Sequence, residues 1–599
     1  MNKVPFYDLK VTDGFWAERQ KTVAEKTVWA VYDRFKETGR IETMDCAEHE
    51  TMPHIFWGSD VVKWMEGAAY ILEQHEDPKL RAAVLEIVDM IEKATTEDGY
   101  YNSYFNSPKA EKERFTVRND HELYSLGHMI EAAVAVQHAI GDDRLMKVCA
   151  RNVALVDRIF RQEDSAEFVT PGHQEIELAL VRMYEATGER VYLDLSEFFV
   201  RQRGANEKDK TNLAWSKAND HGEYAQFHQP VTDQREAVGH AVRAAYLYCA
   251  MADLAEQPGN EDLMVAAKAL FDDIYEKKMY ITGGIGSIYN GEAFSVPYHL
   301  PNRTAYAETC AALGLALFGR RLSALEPDGR YGDAVERALY NGMISGLSLE
   351  GDAFFYVNPL EIDRERLNIP REKQPKTERQ KVFGCSCCPP NLVRLIPSIA
   401  DFIYTYHEDT LFVHQYIANE GIADGAKVAI KTLYPADGKV SICYEGDKKL
   451  ALRKPAWCSE VVCEAAYTEE RGYLYFEQSC VTVEFVMKPT FYRAADAVHE
   501  DAARLALMRG PIVYCVEQQD QVAPLYRLRV DADAPATVTE KTFGGYPILE
   551  AKGVIAEEQT ALYAPYAPLA ETPCTLKFIP YYAFANRGED NMQVWVLKK

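Results

Sequence analysis

Three cysteines fall within four residues in Phe383-Gly384-Cys385-Ser386-Cys387-Cys388-Pro389-Pro390-Asn391. The proline pair then opens an apolar helical run carrying Leu392, Val393, Leu395, Ile396 and Ile399. Proline is tolerated in the first turn of a helix, where its missing N–H would have been unpaired anyway. Cys387 and Cys388 therefore stand at a helix N-terminus, where free N–H groups and the helix dipole favour thiolate. Far upstream, Glu308-Thr309-Cys310 also opens a helical stretch. Three sulfurs and one carboxylate make a four-coordinate set suited to zinc. Read from the residues alone, three roles stay open: a structural zinc site, a catalytic thiolate, or plain buried thiols. Cys385 has no role that its position assigns.

The elements that position these groups are helical from about residue 15 to about residue 405. Amphipathic runs recur in pairs: Val61–Gln74 with Pro78–Lys93, Leu123–Ile140 with Asp143–Phe160, Glu175–Gly188 with Val191–Arg203. Ala237–Glu256 with Glu261–Lys278 and Tyr306–Leu322 with Tyr331–Leu347 continue the series, and Leu392–Tyr406, kinked at Pro397, ends it. With an N-terminal helix around Trp16–Thr38, repeating pairs predict an (α/α)6 barrel, an open helical solenoid being the alternative. His121, His173 and His240 precede first helices of pairs, as do Glu308 and the Cys387–Cys388 pair. One histidine there is usually a cap or a satisfied core group. The same feature repeated around a closed ring points to a shared pocket. The glycine-rich stretch Tyr280–Ser287 lacks the Lys-Ser/Thr of a phosphate loop, so it reads as a loop over the barrel mouth, with Glu292 on it.

After residue 405 the apolar period changes to two, with turn signals between short runs such as Lys427–Lys431, Lys439–Tyr444 and Val481–Met487. The expected organisation is a barrel over residues 1–405, a β-sandwich over 406–518 and a second sandwich over 519–599. Cys443, Cys458, Cys463, Cys480, Cys515 and Cys574 lack metal-ligand spacing and are expected as core or surface thiols.

A chain of 599 residues with a net charge of -25 and pI near 5.1 lacks the basic surface that nucleic acid or an anionic membrane requires. No run approaches membrane-spanning length and the N-terminus has no apolar signal core, so a cytoplasmic location is expected. Thirteen scattered cysteines suit a reducing compartment better than a disulfide framework.

The chain resembles the zinc–cysteine glycoside hydrolases that act as β-L-arabinofuranosidases, formerly grouped as a domain of unknown function. The resemblance rests on Phe56-Trp57-Gly58-Ser59-Asp60, His121-Glu122-Leu123-Tyr124, Gly127-His128, Gly172-His173, Val238-Gly239-His240, Glu308-Thr309-Cys310, Glu336-Arg337-Ala338-Leu339-Tyr340-Asn341 and Cys387-Cys388-Pro389-Pro390-Asn391. It covers essentially the whole length. The Glu-Thr-Cys and Cys-Cys-Pro-Pro-Asn pieces are the specific ones.

What the resemblance implies is retaining, exo-acting release of β-L-arabinofuranose from small oligosaccharides or glycoconjugates. Glu308, Cys310, Cys387 and Cys388 match the family's zinc ligands, Cys387 its nucleophile and Glu292 its acid/base. His121, His173, His240, Glu336 and Tyr356 match residues lining the sugar pocket, with His128 competing for the place of His121. The sandwich domains would give packing or dimer contacts, so a homodimer is allowed. Competing expectations are a same-fold hydrolase of another pectic sugar, an epimerase of helical-barrel type, and a non-catalytic carbohydrate-binding zinc protein.

Overall fold

The computed structural model describes all residues except 212–221, 368 and 370–374. Six inner helices form a closed ring: Trp57–Gln74, Glu122–Ile140, Ile176–Thr187, Ala241–Ala255, Thr309–Leu325 and Cys388–Leu395. Each packs on the next, and the last packs back on the first. That closure makes the helical repeat a barrel, not an open solenoid. Pro78–Ala94, Arg144–Asp157, Arg190–Gln202, Glu261–Asp273 and Gly329–Arg337 follow their inner partners as an outer layer. Val28–Glu37 packs against the first and last inner helices.

The ring is tight because small residues sit where neighbours meet. A Cβ on Gly67 would lie 2.6 Å from the Val393 backbone, and one on Gly127 would lie 2.7 Å from the Ile176 nitrogen. Fully buried apolar side chains such as Trp64, Ile130, Leu180, Leu247 and Leu313 fill the space between layers. Burying side chains of this size contributes about 1.5–3 kcal/mol each before chain entropy is counted.

The last inner helix stops at Leu395, earlier than the expected run to Tyr406. Pro397 removes a backbone donor just past its end, a 3-10 turn at Ile399–Phe402 follows, and a strand begins at Tyr404.

Two six-stranded sheets follow. One orders Asn2–Lys3, Tyr404–His407, Thr410–Val413, Lys449–Arg453, Tyr473–Phe476 and Thr468–Glu470. The other orders Val461–Cys463, Cys480–Phe485, Lys439–Tyr444, Ala426–Thr432, Asn419–Ala423 and Leu9–Val11. The first eleven residues, expected in the barrel, thus supply an edge strand to each sheet. They are too short and isolated for period-two reading to register them.

A third, ten-stranded assembly runs from Thr490–Tyr492 to Val596–Lys598 and takes in Glu361–Ile362 from the barrel segment. Arg504–Arg509 pairs with both Ile512–Glu517 and Val596–Lys598, which closes the ladder on itself. Ile512–Glu517 pairs in turn with strands at Met592–Gln593 and Glu571–Pro580. The sheet therefore crosses the division expected at residue 518, and the change of sheet falls between Phe485 and Thr490. Turn signals near 518–522 mark a connection inside one sheet.

Cys443 and Cys480, expected as thiols, are directly opposed on adjacent strands and joined as a disulfide. Sequence separation of 37 residues hid a pairing that strand register creates. No helix among the described residues is long and apolar enough to cross a membrane.

Candidate active site

All six inner helices begin at the same end of the ring, and the expected polar groups meet there. His121, His240, Glu308 and Cys387 are the residues immediately before their helices. His173 lies three residues before Ile176. They surround a cavity of about 230 Å3 lined also by Phe56, Tyr124, Arg243, Glu292 and Tyr356. Six helix N-termini aimed at one cavity bias it toward anionic groups.

The sulfurs lie on one wall. Cys310 Sγ is 3.1 Å from Cys388 Sγ and 3.6 Å from Cys387 Sγ, and the adjacent pair is 3.8 Å apart. Glu308 Oε1 lies 3.6 Å from both Cys387 and Cys388. The other Glu308 oxygen is buried without a hydrogen-bond partner. Burial, and then Cys387, holds the Glu308 carboxyl well above the usual range. Burial likewise pushes Cys388 up, helped by hydrogen bonding to Cys310. Burial opposes ionisation of Cys310 too, but hydrogen bonds from its two cysteine neighbours outweigh it and bring that thiol down to about 7. Four ligand atoms of this kind, mutually within 4.8 Å and largely buried, form a cluster able to hold a metal ion.

The cysteine loop is fixed from the side. Arg40 donates through Nη2 to the carbonyls of Phe383 and Gly384 at 2.9 Å, pairs with Asp60 at 3.3 Å and stacks on Trp57. Nothing local in the sequence pointed to Arg40, and Asp60 stood only as the end of the Phe56–Asp60 motif, without a role. Tyr356 is placed by the start of the helix Thr309–Leu325: the Thr309 N–H donates to its carbonyl at 2.9 Å, and the phenol oxygen lies 3.4 Å from Cys387 Sγ. Cys385 lines the same cavity, 3.9 Å from the Tyr356 oxygen.

Glu292 faces this wall from a loop folded over the start of Ala241–Ala255. The Ala241 N–H donates to the Glu292 carbonyl at 3.0 Å, and Phe294 N–H to that of Gly239 at 2.9 Å. The Glu292 carboxylate lies 3.0 Å from His240 Nε2. A ligand atom of each of His240, Glu292 and Glu308 lies within 4.8 Å of the others. Burial raises the Glu292 carboxyl, but hydrogen bonds from His240 and Tyr306 outweigh it and the net shift is downward. His121, Glu292 and Ala307 adopt φ of 60°, 53° and 40°, left-handed values that non-glycine residues rarely take. Such conformations persist where the surrounding structure over-determines them.

Hydrogen bonds fix the tautomers. His121 Nδ1 lies 2.8 Å from the Asn119 carbonyl and His173 Nδ1 lies 2.9 Å from that of Gln174. A carbonyl only accepts, so each Nδ1 carries the proton and each Nε2 is left as an acceptor. His240 is opposite: its Nδ1 accepts from the N–H groups of Val242 and Arg243, so Nε2–H is a donor. Burial and then the Arg243 charge keep His121 and His173 neutral, the former down to about 3.

Position separates two alternatives and corrects one expectation. His128 is fully buried beside Glu175 at 3.0 Å and outside the cavity wall, so His121 is the pocket histidine of the two. Glu336 is also away from the cavity. It is 1% exposed and binds Arg453 at 2.6 Å, the Trp457 indole at 3.0 Å and the Tyr434 hydroxyl. These partners belong to the β region, and in the same motif Asn341 exchanges hydrogen bonds with Pro511 and Val513. The Glu336–Asn341 motif is an anchor between barrel and sheets.

A larger cavity of about 450 Å3 lies at the other end of the ring, behind Met1–Tyr7. Charges there are matched among themselves: Arg182 with Glu66 and Glu131, Arg321 with Asp253, Lys3 with Glu256.

An (α/α)6 ring whose helix starts gather a thiol cluster, carboxylates and histidines around one cavity is the frame in which the comparisons place a glycoside hydrolase. Residues 8–401 match the sequence model of the β-L-arabinofuranosidase GH127 catalytic domain, and residues 489–597 that of the glycoside hydrolase family 127 C-terminal domain. The chain belongs to glycoside hydrolase family 127. It is 35% identical over 584 residues to the non-reducing end β-L-arabinofuranosidase of Bifidobacterium longum, covering 90% of this chain and 89% of that protein. A GH127 β-L-arabinofuranosidase from Geobacillus stearothermophilus T6 superposes with a TM-score of 0.92 at 37% identity, over 99% of this chain and 100% of that one. The GH127 β-arabinofuranosidase BT3674 gives a TM-score of 0.90 at 33% identity, over 100% and 98%.

Proposed function

We propose that this enzyme is a retaining, exo-acting β-L-arabinofuranosidase that uses Cys387 as nucleophile and Glu292 as acid/base, with zinc on Glu308, Cys310, Cys387 and Cys388. The observation that carries the reading is the facing of Glu292 and the sulfur cluster across a cavity below the about 300–1,000 Å3 of drug-sized sites. One sugar ring fits such a space better than a chain, which supports action at a non-reducing end. Small arabinofuranoside-bearing oligosaccharides are the substrate class this favours.

The ligand set fits zinc. Zn–S bonds of about 2.3 Å in a tetrahedron separate sulfurs by about 3.8 Å, and the sulfurs here stand 3.1–3.8 Å apart. The buried Glu308 oxygen without a hydrogen-bond partner is a polar atom that a bound cation would satisfy. Zinc, when bound, supplies the charge that keeps its sulfur ligands deprotonated near neutral pH.

In the first half-reaction the Cys387 sulfur attacks the anomeric carbon while Glu292 protonates the departing glycosidic oxygen. The bond to the aglycone breaks as the carbon–sulfur bond forms. In the second half Glu292 takes a proton from water, whose oxygen displaces the sulfur and restores the original anomeric configuration. The depressed pKa of Glu292 suits the second half directly. His121 and His173 offer acceptors to ring hydroxyls, and His240 orients the acid/base. Sharp sugar discrimination needs such groups, since an unpaired buried polar atom is costly.

Release of p-nitrophenol from p-nitrophenyl β-L-arabinofuranoside, under reductant, before and after iodoacetamide, tests the reading. Turnover that alkylation abolishes is expected. Folded, zinc-loaded protein inert on this substrate would move the assignment to another sugar.

A further inference from the structure

Behind the sulfur cluster runs a chain of buried polar contacts that no step of the reaction uses. Asn391 is 1% exposed, and its Nδ2 lies 3.0 Å from Cys310 Sγ. Its Oδ1 accepts from Arg394 Nε at 2.7 Å. Arg394 donates onward to Glu66 Oε2 at 3.0 Å and to the Tyr246 hydroxyl at 3.2 Å. Glu66 Oε1 accepts from Tyr70 at 2.7 Å and from Arg182 at 3.1 Å. The contacts tie the helix Cys388–Leu395, which carries Asn391 and Arg394, to four others of the inner ring.

The polarity of this chain is forced. Guanidinium has donors and no acceptor, so the oxygen of the Asn391 amide must face Arg394. The NH2 must then face Cys310. Glu66 holds Arg394 in place, and so decides which end of the amide meets the sulfur. A thiolate sulfur that accepts an N–H turns one lone pair toward that donor and is held with its others free for a metal. Resting on the zinc reading above, we infer that Asn391 is a positioning residue for the metal centre, donating to Cys310 in an orientation locked by Arg394 and Glu66. Outer partners of this kind typically affect metal affinity by about 10–100-fold.

Two variants test it. Asn391→Leu keeps the volume and removes the donor. Asn391→Asp keeps the acceptor for Arg394, and with it the buried pair, but turns the sulfur-facing donor into an acceptor. Zinc per chain and its loss to a competing chelator are measured for each, with the thiolate-to-metal absorption of the cobalt-substituted protein as a second readout. Both variants are expected to surrender zinc at about 10–100-fold lower chelator concentration, with a weakened or shifted cobalt band. If Asn391→Leu does not fold, Asn391→Asp alone decides. Chelator curves and cobalt spectra unchanged from wild type in folded variants would overturn the inference and leave the zinc reading standing. Wild-type protein that binds no zinc would overturn both.

Discussion

His240 Nε2 donates to the Glu292 carboxylate across 3.0 Å, while its Nδ1 caps the helix that follows. One imidazole thereby ties the proposed acid/base to the barrel scaffold and lowers its pKa. The hydrogen bond lowers the Glu292 pKa, so removing it raises that pKa. His240→Asn retains a capping side chain but is too short to reach Glu292. If Glu292 is the acid of the first step, kcat/KM falls as pH rises through its pKa. The alkaline limb of that profile should then move to higher pH in His240→Asn. An unmoved limb with unchanged kcat would detach His240 from Glu292.

Cys387→Ser removes the sulfur proposed as nucleophile while leaving three of the four residues of the cluster. Turnover should fall by on the order of 10^4-fold or more, with a near-native melting temperature, since groups that act as one catalytic unit are lost together. A variant that unfolds, yet keeps full activity per folded molecule, would make the cysteine structural.

Glu292→Gln should separate substrates by their leaving groups. Loss of acid catalysis costs about 10^2–10^4-fold on alkyl glycosides, and much less on aryl glycosides that depart unassisted. Steady-state rates on the two classes give the comparison; equal loss on both would remove Glu292 from the acid role.

Glu336→Gln should damage stability and spare binding. It weakens a buried pair with Arg453, and breaking such a pair costs about 3–5 kcal/mol. Denaturant midpoints should fall while KM of the folded enzyme stays within about twofold, because the residue stands at the barrel–sheet joint. A large KM change would return it to the sugar pocket.

His414 supplies a pH test remote from the cavity. It is 5% exposed, with Nδ1 2.6 Å from the Tyr473 hydroxyl and Nε2 2.8 Å from Thr405 Oγ1. Burial, and then the Arg453 charge, push its pKa down to about 3. The unfolded chain takes up a proton below about pH 6.5 that folded His414 refuses, so stability is lost as pH falls from there toward 3. The cost by pH 5 is about 2 kcal/mol, at ~1.4 kcal/mol per pH unit. His414→Gln should shrink the difference in urea midpoint between pH 7.5 and pH 5; an unchanged difference would mean that His414 is charged in the fold.

Local order was legible in the chain, and remote pairing was not. Apolar residues spaced at 3.6 revealed the helix pairs, and the switch to a period of two revealed where sheets begin, because those periods are set by backbone geometry within a few residues. The Glu308–Cys310 and Cys387–Cys388 pieces stand at helix starts, which the sequence marks with prolines and with the onset of apolar periodicity. Their meeting at one end of a closed ring follows from the repeat.

The register of distant segments was decided only in three dimensions. Asn2–Lys3 and Leu9–Val11 became sheet edges, Cys443 met Cys480, and residues 490–598 closed as one sheet through position 518. Glu336 looked like a pocket residue by motif, yet a helix side chain's neighbours depend on what packs against its face, and there the β region supplies Arg453. His121 and His128 differ by seven residues, nearly two helical turns, and only the placement of the cavity distinguishes a wall from a core. Asp60 and Asn391 lie in motifs that carry the resemblance, but neither those motifs nor Arg40, Arg394 and Glu66 show by themselves which partners they take. Their roles are hydrogen-bond geometries between residues far apart in sequence, and burial of unsatisfied polar groups is what forces those geometries to form.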